Sequence, residues 1–144
     1  MAYKFEQLEV WQLAMEYTDL VYDIAEQLPS SEKYNLKSQI TRAATSVALN
    51  IAEGSTSQSS TEQARFLGLA IRSLIETVAC QHLINRRQYL KDPEPLRNAY
   101  RASEKLFAKL QAFRHALIKN KSLPSIREET KPYLFDDDDY APED

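Results

Sequence analysis

The stretch VWQLAMEYTDLVYDIAEQL, residues 10–28, decides the fold class of this chain. Its apolar side chains recur at alternating steps of four and three residues, which places them on one stripe of a helix. The stripe consists of Val10, Ala14, Tyr17, Val21, Ile24 and Leu28. Pro29 ends the pattern, because the residue before a proline is pushed out of the helical conformation. The stretch therefore predicts a first helix from about Gln7 to Leu28, with Trp11 mostly buried.

The same spacing continues through the next two segments. Helix two is predicted from Leu36 to about Ser55, and Gly54 is expected to end it in the left-handed conformation that favours glycine. Its stripe is Leu36, Ile40, Ala43, Val47 and Ile51. Helix three is predicted from Ser60, as N-cap of a capping box with Gln63, to about Tyr89. Its apolar positions are Leu67, Ala70, Leu74, Val78 and either Leu83 or Ile84.

Helix four is predicted after a turn at residues 91–95, where Pro93 and Pro95 suit a helix start. It should run to about Lys121, before Pro124. A seven-residue repeat fills its core stripe, with Leu96, Ala99, Ser103, Leu106, Leu110, Phe113 and Leu117. Four long helices with short links are most simply packed side by side, each reversing direction relative to the last.

Composition agrees with an all-helical protein. The 144 residues suit one domain, and 43% of them are hydrophobic, which is enough for a core. Only 2 glycines occur, whereas an all-β chain needs many tight turns. We therefore predict an all-α, antiparallel up-down-up-down four-helix bundle over residues 1–121. Residues 122–144 hold 8 acidic and 2 basic side chains, and this composition predicts a disordered acidic tail.

The sequence does not contain the residue patterns on which several classes of function depend. Cys80 is the single cysteine, so no multi-cysteine metal site can form. A di-metal bundle needs Glu-x-x-His motifs, but Ala79 and Ala112 stand three residues before His82 and His115. We expect no catalytic residue, no metal and no cofactor. The first nine residues do not resemble a secretory signal, and no run of about eighteen apolar residues is evident, so the expected location is cytoplasmic.

Helix three is apolar on more than one side. Phe66, Ile71 and Ile75 lie off the predicted core stripe. A wide apolar girth in a small protein indicates a second buried surface. The chain is therefore expected to associate with copies of itself.

One polar set admits two interpretations. It comprises Arg42, Asn50, Glu53 and Glu76. We favour a structural polar network, buried or between chains, that fixes helix register. The alternative is a ligand or substrate site, which would require these groups to line one pocket reached by solvent.

A second set is basic. Its candidate nucleic-acid-binding residues are Arg86, Arg87, Arg97, Arg101, Lys105 and Lys109. Residues 86–121 carry a net charge of +7, with 10 basic and 3 acidic side chains. Such a stripe can neutralise phosphates without reading sequence, although it can also be an ordinary solvated helix face. The tail, at −6, could mask this face or could serve only to keep the chain soluble.

The residues also resemble a known family, the four-helix-bundle proteins encoded in intervening sequences of bacterial 23S ribosomal RNA genes. The resemblance covers about residues 5–90. Its motifs are Phe5-x-x-Leu8-x-Val10-Trp11-x-x-Ala14, Tyr34-x-Leu36-x-x-Gln39-Ile40-x-Arg42-Ala43-Ala44-x-Ser46, Asn50-Ile51-Ala52-Glu53-Gly54, and Phe66, Leu67, Ala70, Ser73, Leu74 and Glu76. Thr41 and Arg72 depart from the family's usual arginine and glycine at those positions.

The resemblance implies an antiparallel bundle that assembles as a pentameric ring. A related branch, the accessory variability determinant of diversity-generating retroelements, implies a basic ring that binds RNA or DNA and a reverse transcriptase. The leading hypothesis is a non-enzymatic homo-oligomeric interaction module that binds RNA or DNA through helix four. A structural or protein-binding scaffold is the alternative, and an enzyme with a site around Arg42 is the third hypothesis. No membrane partner is expected.

Overall fold

The computed structural model describes residues 3–119, and they form a helical bundle without a strand. Four long helices are joined by short links, with 3-10 turns at Lys4–Gln7 and Ser30–Glu32. The helices are α1 (Glu9–Glu26), α2 (Leu36–Gly54), α3 (Ser60–Arg86) and α4 (Glu94–Lys119). The predicted all-α class is confirmed. The predicted acidic tail, residues 122–144, lies outside the described residues.

Contacts between helices show that chain neighbours run in opposite directions. Ser73 on α3 donates to Ser46 on α2, while Phe66, earlier on α3, lies against Gly54, later on α2. On α3 and α4, His82 pairs with Tyr100, while Gly68, earlier on α3, lies beside Arg114, later on α4. α1 packs against both α2 and α4, which closes the bundle.

The predicted stripes form the core. Every member of the α1 stripe is buried, and so are those of α2 and α4. On α3, Leu67, Ala70 and Leu74 are buried, whereas Val78 is only partly buried and was wrongly predicted as a core position. Of the two open choices, Ile84 is buried and Leu83 is exposed. Trp11 is only half-buried, because it packs at the edge of the bundle against the Phe5 ring, with ring centroids 4.6 Å apart. The prediction that Trp11 is mostly buried was therefore wrong.

The predictions for the end of α2 and the start of α3 need correction. The N-cap of α3 is Ser59, whose hydroxyl accepts from the Glu62 backbone N–H at 3.1 Å, and not Ser60. Ser60 is the first residue of the helix rather than its cap, so Ser60 and Gln63 do not form the predicted capping box, and both are buried in the first turn. Gly54 is still helical, with no left-handed conformation. It is instead a point of close approach, since a Cβ there would lie 2.8 Å from the Phe66 Cβ.

α3 ends earlier than predicted, at Arg86 rather than Tyr89. Gln88 adopts a left-handed backbone with φ of 55°. Its N–H donates to the Asn85 carbonyl, and the Tyr89 N–H donates to the Ile84 carbonyl at 3.3 Å. These two bonds form a Schellman motif, which usually uses glycine at the left-handed position. Because glutamine occupies that position, the sequence carried no conventional stop signal there.

α3 is also long and apolar enough to cross a membrane by length and composition, which was not expected from the sequence. The core helices of soluble bundles meet the same two criteria. Within the described residues α3 packs against both α2 and α4.

Candidate functional site

An open groove between α3 and α4 collects residues of several chemical kinds. We call it the α3–α4 groove; its volume is about 360 Å³. Its lining residues are Gln81, His82, Asn85, Pro93, Leu96, Arg97, Tyr100 and Arg101. The His82 and Tyr100 rings meet edge to face, with centroids 6.1 Å apart. The groove therefore offers two guanidinium groups, two aromatic rings and two side-chain amides on one surface.

Both guanidinium groups of the groove share one carboxylate. Arg97 and Arg101 contact the two oxygens of Glu94 at 3.2 and 3.4 Å. Arg101 also donates to the Asn98 side chain at 3.0 Å. All three ion-paired side chains are at least half exposed. Exposed ion pairs contribute little net stability, so an incoming anion can compete for these two arginines.

A second cavity, of about 370 Å³, continues the groove around the α3–α4 link. The two cavities share Asn85, Pro93 and Leu96. The second adds Lys91, a further cation, and Gln88, the residue with left-handed backbone. Together they form a continuous depression at one end of the bundle.

The six predicted basic residues separate into different environments. Arg97 and Arg101 line the groove, and Arg86 and Arg87 are exposed where α3 ends. Lys105 is exposed one helical turn beyond Arg101. Lys109 instead faces α1, where its ammonium lies 3.3 Å from a Glu9 oxygen. The repeat of four residues turns slowly around the helix, which carries Lys109 to the α1 side.

A buried hydrogen-bond network underlies the groove, and the sequence analysis did not find it. The Gln81 amide donates to the Tyr17 hydroxyl at 2.6 Å. Thr77 donates to the Leu74 carbonyl, so the Tyr17 hydroxyl donates to Thr77, also at 2.6 Å. Burial raises the pKa of Tyr17 to about 12. The available signal was the position of Thr77 and Gln81, polar residues at helical steps between Leu74 and Ile84.

The Gln81 side-chain amide is only partly satisfied by hydrogen bonds within the described residues. Its Oε1 is buried and has no hydrogen-bond partner within residues 3–119. Buried polar atoms are normally paired, so each exception needs an explanation. Gln81 belongs both to the buried network and to the lining of the groove.

Loop contacts hold the end of the bundle that carries the groove. The Tyr89 hydroxyl donates to Glu32 at 2.7 Å, and the Leu36 N–H donates to the same carboxylate at 3.2 Å. These bonds, led by that from Tyr89, lower the pKa of Glu32. The reciprocal bond to Glu32 raises the pKa of Tyr89. Together these hydrogen bonds connect the loop before α2 with the loop before α4.

The predicted polar set does not form a buried network within the chain. Arg42, Asn50 and Glu53 line one open groove on α2, of about 520 Å³, while Glu76 is exposed outside that lining. Arg42 donates to Ser38, and Asn50 donates to Ser46, one turn away on the same helix. A network between chains stays a prediction.

An adjoining cavity, of about 590 Å³, is more apolar. It shares Leu49 and Glu53 with the α2 groove, and Tyr3, Phe5 and Ala52 also line it. Leu49 is exposed over 58% of its surface, and Tyr22 lines the other side of the α2 groove. These two cavities form a second candidate interaction surface.

The histidine, cysteine and acidic side chains of the described residues do not cluster as metal ligands would. No group of three or more histidine, cysteine, aspartate or glutamate side chains within those residues could hold a metal ion. Cys80 is buried, and burial raises the pKa of its thiol, which keeps it protonated.

The fold and surface define a four-helix bundle with a basic groove at one end. A family model, the 23S rRNA-intervening sequence protein, matches residues 6–112. The chain belongs to that family. None of the curated proteins matches it.

A solved structure supports the fold. It is a Bacteroides thetaiotaomicron protein with unknown function from the S23 ribosomal protein family. It is 24% identical to this chain, with a TM-score of 0.64, and the match covers 70% of this chain and 94% of the other. Likeness at that identity shows the fold alone.

Proposed function

We propose that this chain is a non-enzymatic, homo-oligomeric module that binds RNA or DNA through the basic residues of α4 and the end of α3. The observation that carries the proposal is the exposed pair Arg97 and Arg101 beside an open groove, with Arg86 and Arg87 at the same end of the bundle. Phosphate oxygens accept hydrogen bonds from guanidinium groups in a bidentate geometry. Affinity from such contacts is largely electrostatic and independent of sequence.

Assembly is supported by apolar side chains that the single chain leaves exposed. Leu49, Ile75 and Leu83 are each exposed over at least 50% of their surface. Ile75 and Leu83 stand about two turns apart along α3, and an exposed apolar row of this kind is typical of a surface that is buried against another protein. We propose a pentamer, the assembly that the resemblance implies, and a kinship with the accessory variability determinant. A ring would bring several copies of the basic groove together and raise the strength of binding.

The first experiment is native mass spectrometry of the full chain, combined with electrophoretic mobility shift of RNA and DNA. We expect a five-subunit mass and a shift at roughly 50 mM salt that weakens strongly at roughly 200 mM, because phosphate contacts release counterions. A folded monomer would overturn the assembly. A folded oligomer that shifts neither nucleic acid at low salt would overturn the binding function.

A matched pair of variants tests the location of binding. Arg97 pairs with Glu94 three residues earlier, and Arg65 pairs with Glu62 in the same spacing on α3, with side-chain exposures of 61% and 57%. Arg97→Gln should weaken binding, whereas Arg65→Gln should leave it unchanged. Equal effects of the two variants would show that net charge, rather than the groove, determines affinity.

The alternative function is a protein-binding scaffold, which the apolar cavity around Leu49 and Phe5 favours. Under that function, partners recovered from cells with the full chain would be proteins, and nuclease treatment would not release them. Leu49→Ser would then reduce recovery, while Arg97→Gln would not.

A further inference from the structure

We infer that the α3–α4 groove is a site for unpaired nucleotides, so that the ligand class is single-stranded RNA or single-stranded DNA rather than duplex. This inference rests on the proposed nucleic-acid function and names the ligand class of the same site. The groove of about 360 Å³, with the adjoining cavity of about 370 Å³, carries it.

The groove combines an aromatic and apolar surface with cations at its edge. Tyr100 is exposed over 41% of its surface, and Leu96 and Pro93 lie beside it in the lining. A duplex presents its phosphates outward and keeps its base faces stacked. Its bases therefore cannot enter an apolar recess. An unpaired base presents a free π-face, which stacks on aromatic side chains in sites for single strands.

The charged groups are placed to hold the phosphate that accompanies such a base. Arg97 and Arg101 both belong to the lining and both lie on the same helix as Tyr100. A phosphate would replace the Glu94 carboxylate, which now contacts both guanidinium groups at 3.2 and 3.4 Å. Lys91 in the adjoining cavity is available for the next phosphate.

The polar residues of the groove supply hydrogen bonds to a base edge. Asn85 offers both an amide N–H and a carbonyl, and His82 lies at the edge of the Tyr100 ring. Amino and imino groups on the pairing edge of an unpaired base are donors that the Asn85 carbonyl can accept, whereas in a duplex those groups are already paired.

The test measures fluorescence anisotropy of labelled single-stranded RNA, single-stranded DNA and duplex DNA with the full chain at fixed salt. We expect the single strands to bind at least tenfold more tightly than the duplex. Tyr100→Leu should weaken single-strand binding by about tenfold or more, because stacking on the ring is lost. Tyr100→Phe, which keeps the ring, should retain it.

Tyr34→Leu is the control, because Tyr34 is exposed over 87% of its surface and lies outside the linings of both the α3–α4 groove and the α2 groove. It should bind as the unaltered chain does, and circular dichroism should show that every variant is folded. Unlabelled polyglutamate, a polyanion without bases, should displace the single strand poorly.

Each contrary result has a distinct meaning. Equal binding of duplex and single strand, with no effect of Tyr100→Leu, would overturn the nucleotide site and leave the proposed function standing. Displacement by polyglutamate as effective as that by an oligonucleotide would indicate an acidic protein ligand and would also overturn the site. Absence of binding to all three nucleic acids would overturn the proposed function itself. A preference between the RNA and DNA strands would identify the sugar that the site accepts.

Discussion

Substitution of Gly54 by alanine tests the close approach of α2 and α3. The added Cβ would lie 2.8 Å from the Phe66 Cβ and 3.5 Å from the Gln63 carbonyl oxygen. Ordinary contacts at a Cβ begin near 3.4 Å. The Phe66 Cβ is fixed to the backbone of α3, so no rotation of a side chain can relieve the overlap. The two helices must therefore move apart until the 2.8 Å separation reaches the ordinary 3.4 Å.

The expected loss follows from two opposing terms. Overpacking of this kind costs about 1–3 kcal/mol. Alanine in place of glycine favours the helix by up to about 1 kcal/mol, and by less at a helix end. The net effect is a destabilisation of about 1–2 kcal/mol, which for a domain of this size lowers the Tm by roughly 3–10 °C.

The second glycine provides a control. A Cβ on Gly68 would lie 3.3 Å from the Arg114 Nε, an atom far along a flexible side chain that can move away. Gly68→Ala should therefore match or exceed the unaltered chain, by up to about 1 kcal/mol. Thermal unfolding followed by circular dichroism measures both variants. A Gly54→Ala variant as stable as the unaltered chain would refute the close approach.

Four other outcomes are expected. Tyr17→Phe should cost about 1–3 kcal/mol in chemical denaturation, because buried partners, including Thr77, lose a hydrogen bond; no loss would contradict the network. The pKa of Glu32 is lowered in the folded state, so its stabilisation should be complete above its ordinary pKa and lost as the pH falls through the folded value. The Tm of Glu32→Gln should thus lie below that of the unaltered chain at neutral pH and approach it in acid, whereas a constant gap would refute the linkage. Gln88→Gly should raise stability by about 0.5–1 kcal/mol, since glycine suits the left-handed position, and a fall would contradict the Schellman geometry. Deletion of residues 122–144 should strengthen RNA binding in anisotropy titrations if the acidic segment masks the basic face, and unchanged affinity would exclude masking.

The spacing of apolar residues predicted the fold, because buried positions recur every three or four residues along each helix. The stripe from Val10 to Leu28 needed only the helical spacing and Pro29 to be interpreted correctly. Residues that suit either of two structural roles were harder to predict. Ser59 and Ser60 have identical side chains, and the packing of the first turn decides which of them caps α3. Gly54 could end a helix or admit a neighbour, and only the position of Phe66 distinguishes these uses.

The candidate site was less predictable than the fold, because it depends on the register between helices. The basic repeat identified Arg97 and Arg101, but it could not show that His82 and Tyr100 face each other across α3 and α4. Nor could it show that Lys109 turns toward Glu9, since that depends on the rotation of α4 against α1.

The central claim is that the arginines of the α3–α4 groove contact phosphates. The most direct test is the slope of log affinity against log salt for single-stranded RNA, compared between the unaltered chain and Arg97→Gln/Arg101→Gln. Each phosphate contact on a single strand contributes about 0.7 to that slope, so the double variant should bind more weakly, with a slope shallower by about 1.4. A double variant that is folded and retains both the affinity and the slope of the unaltered chain would contradict the claim.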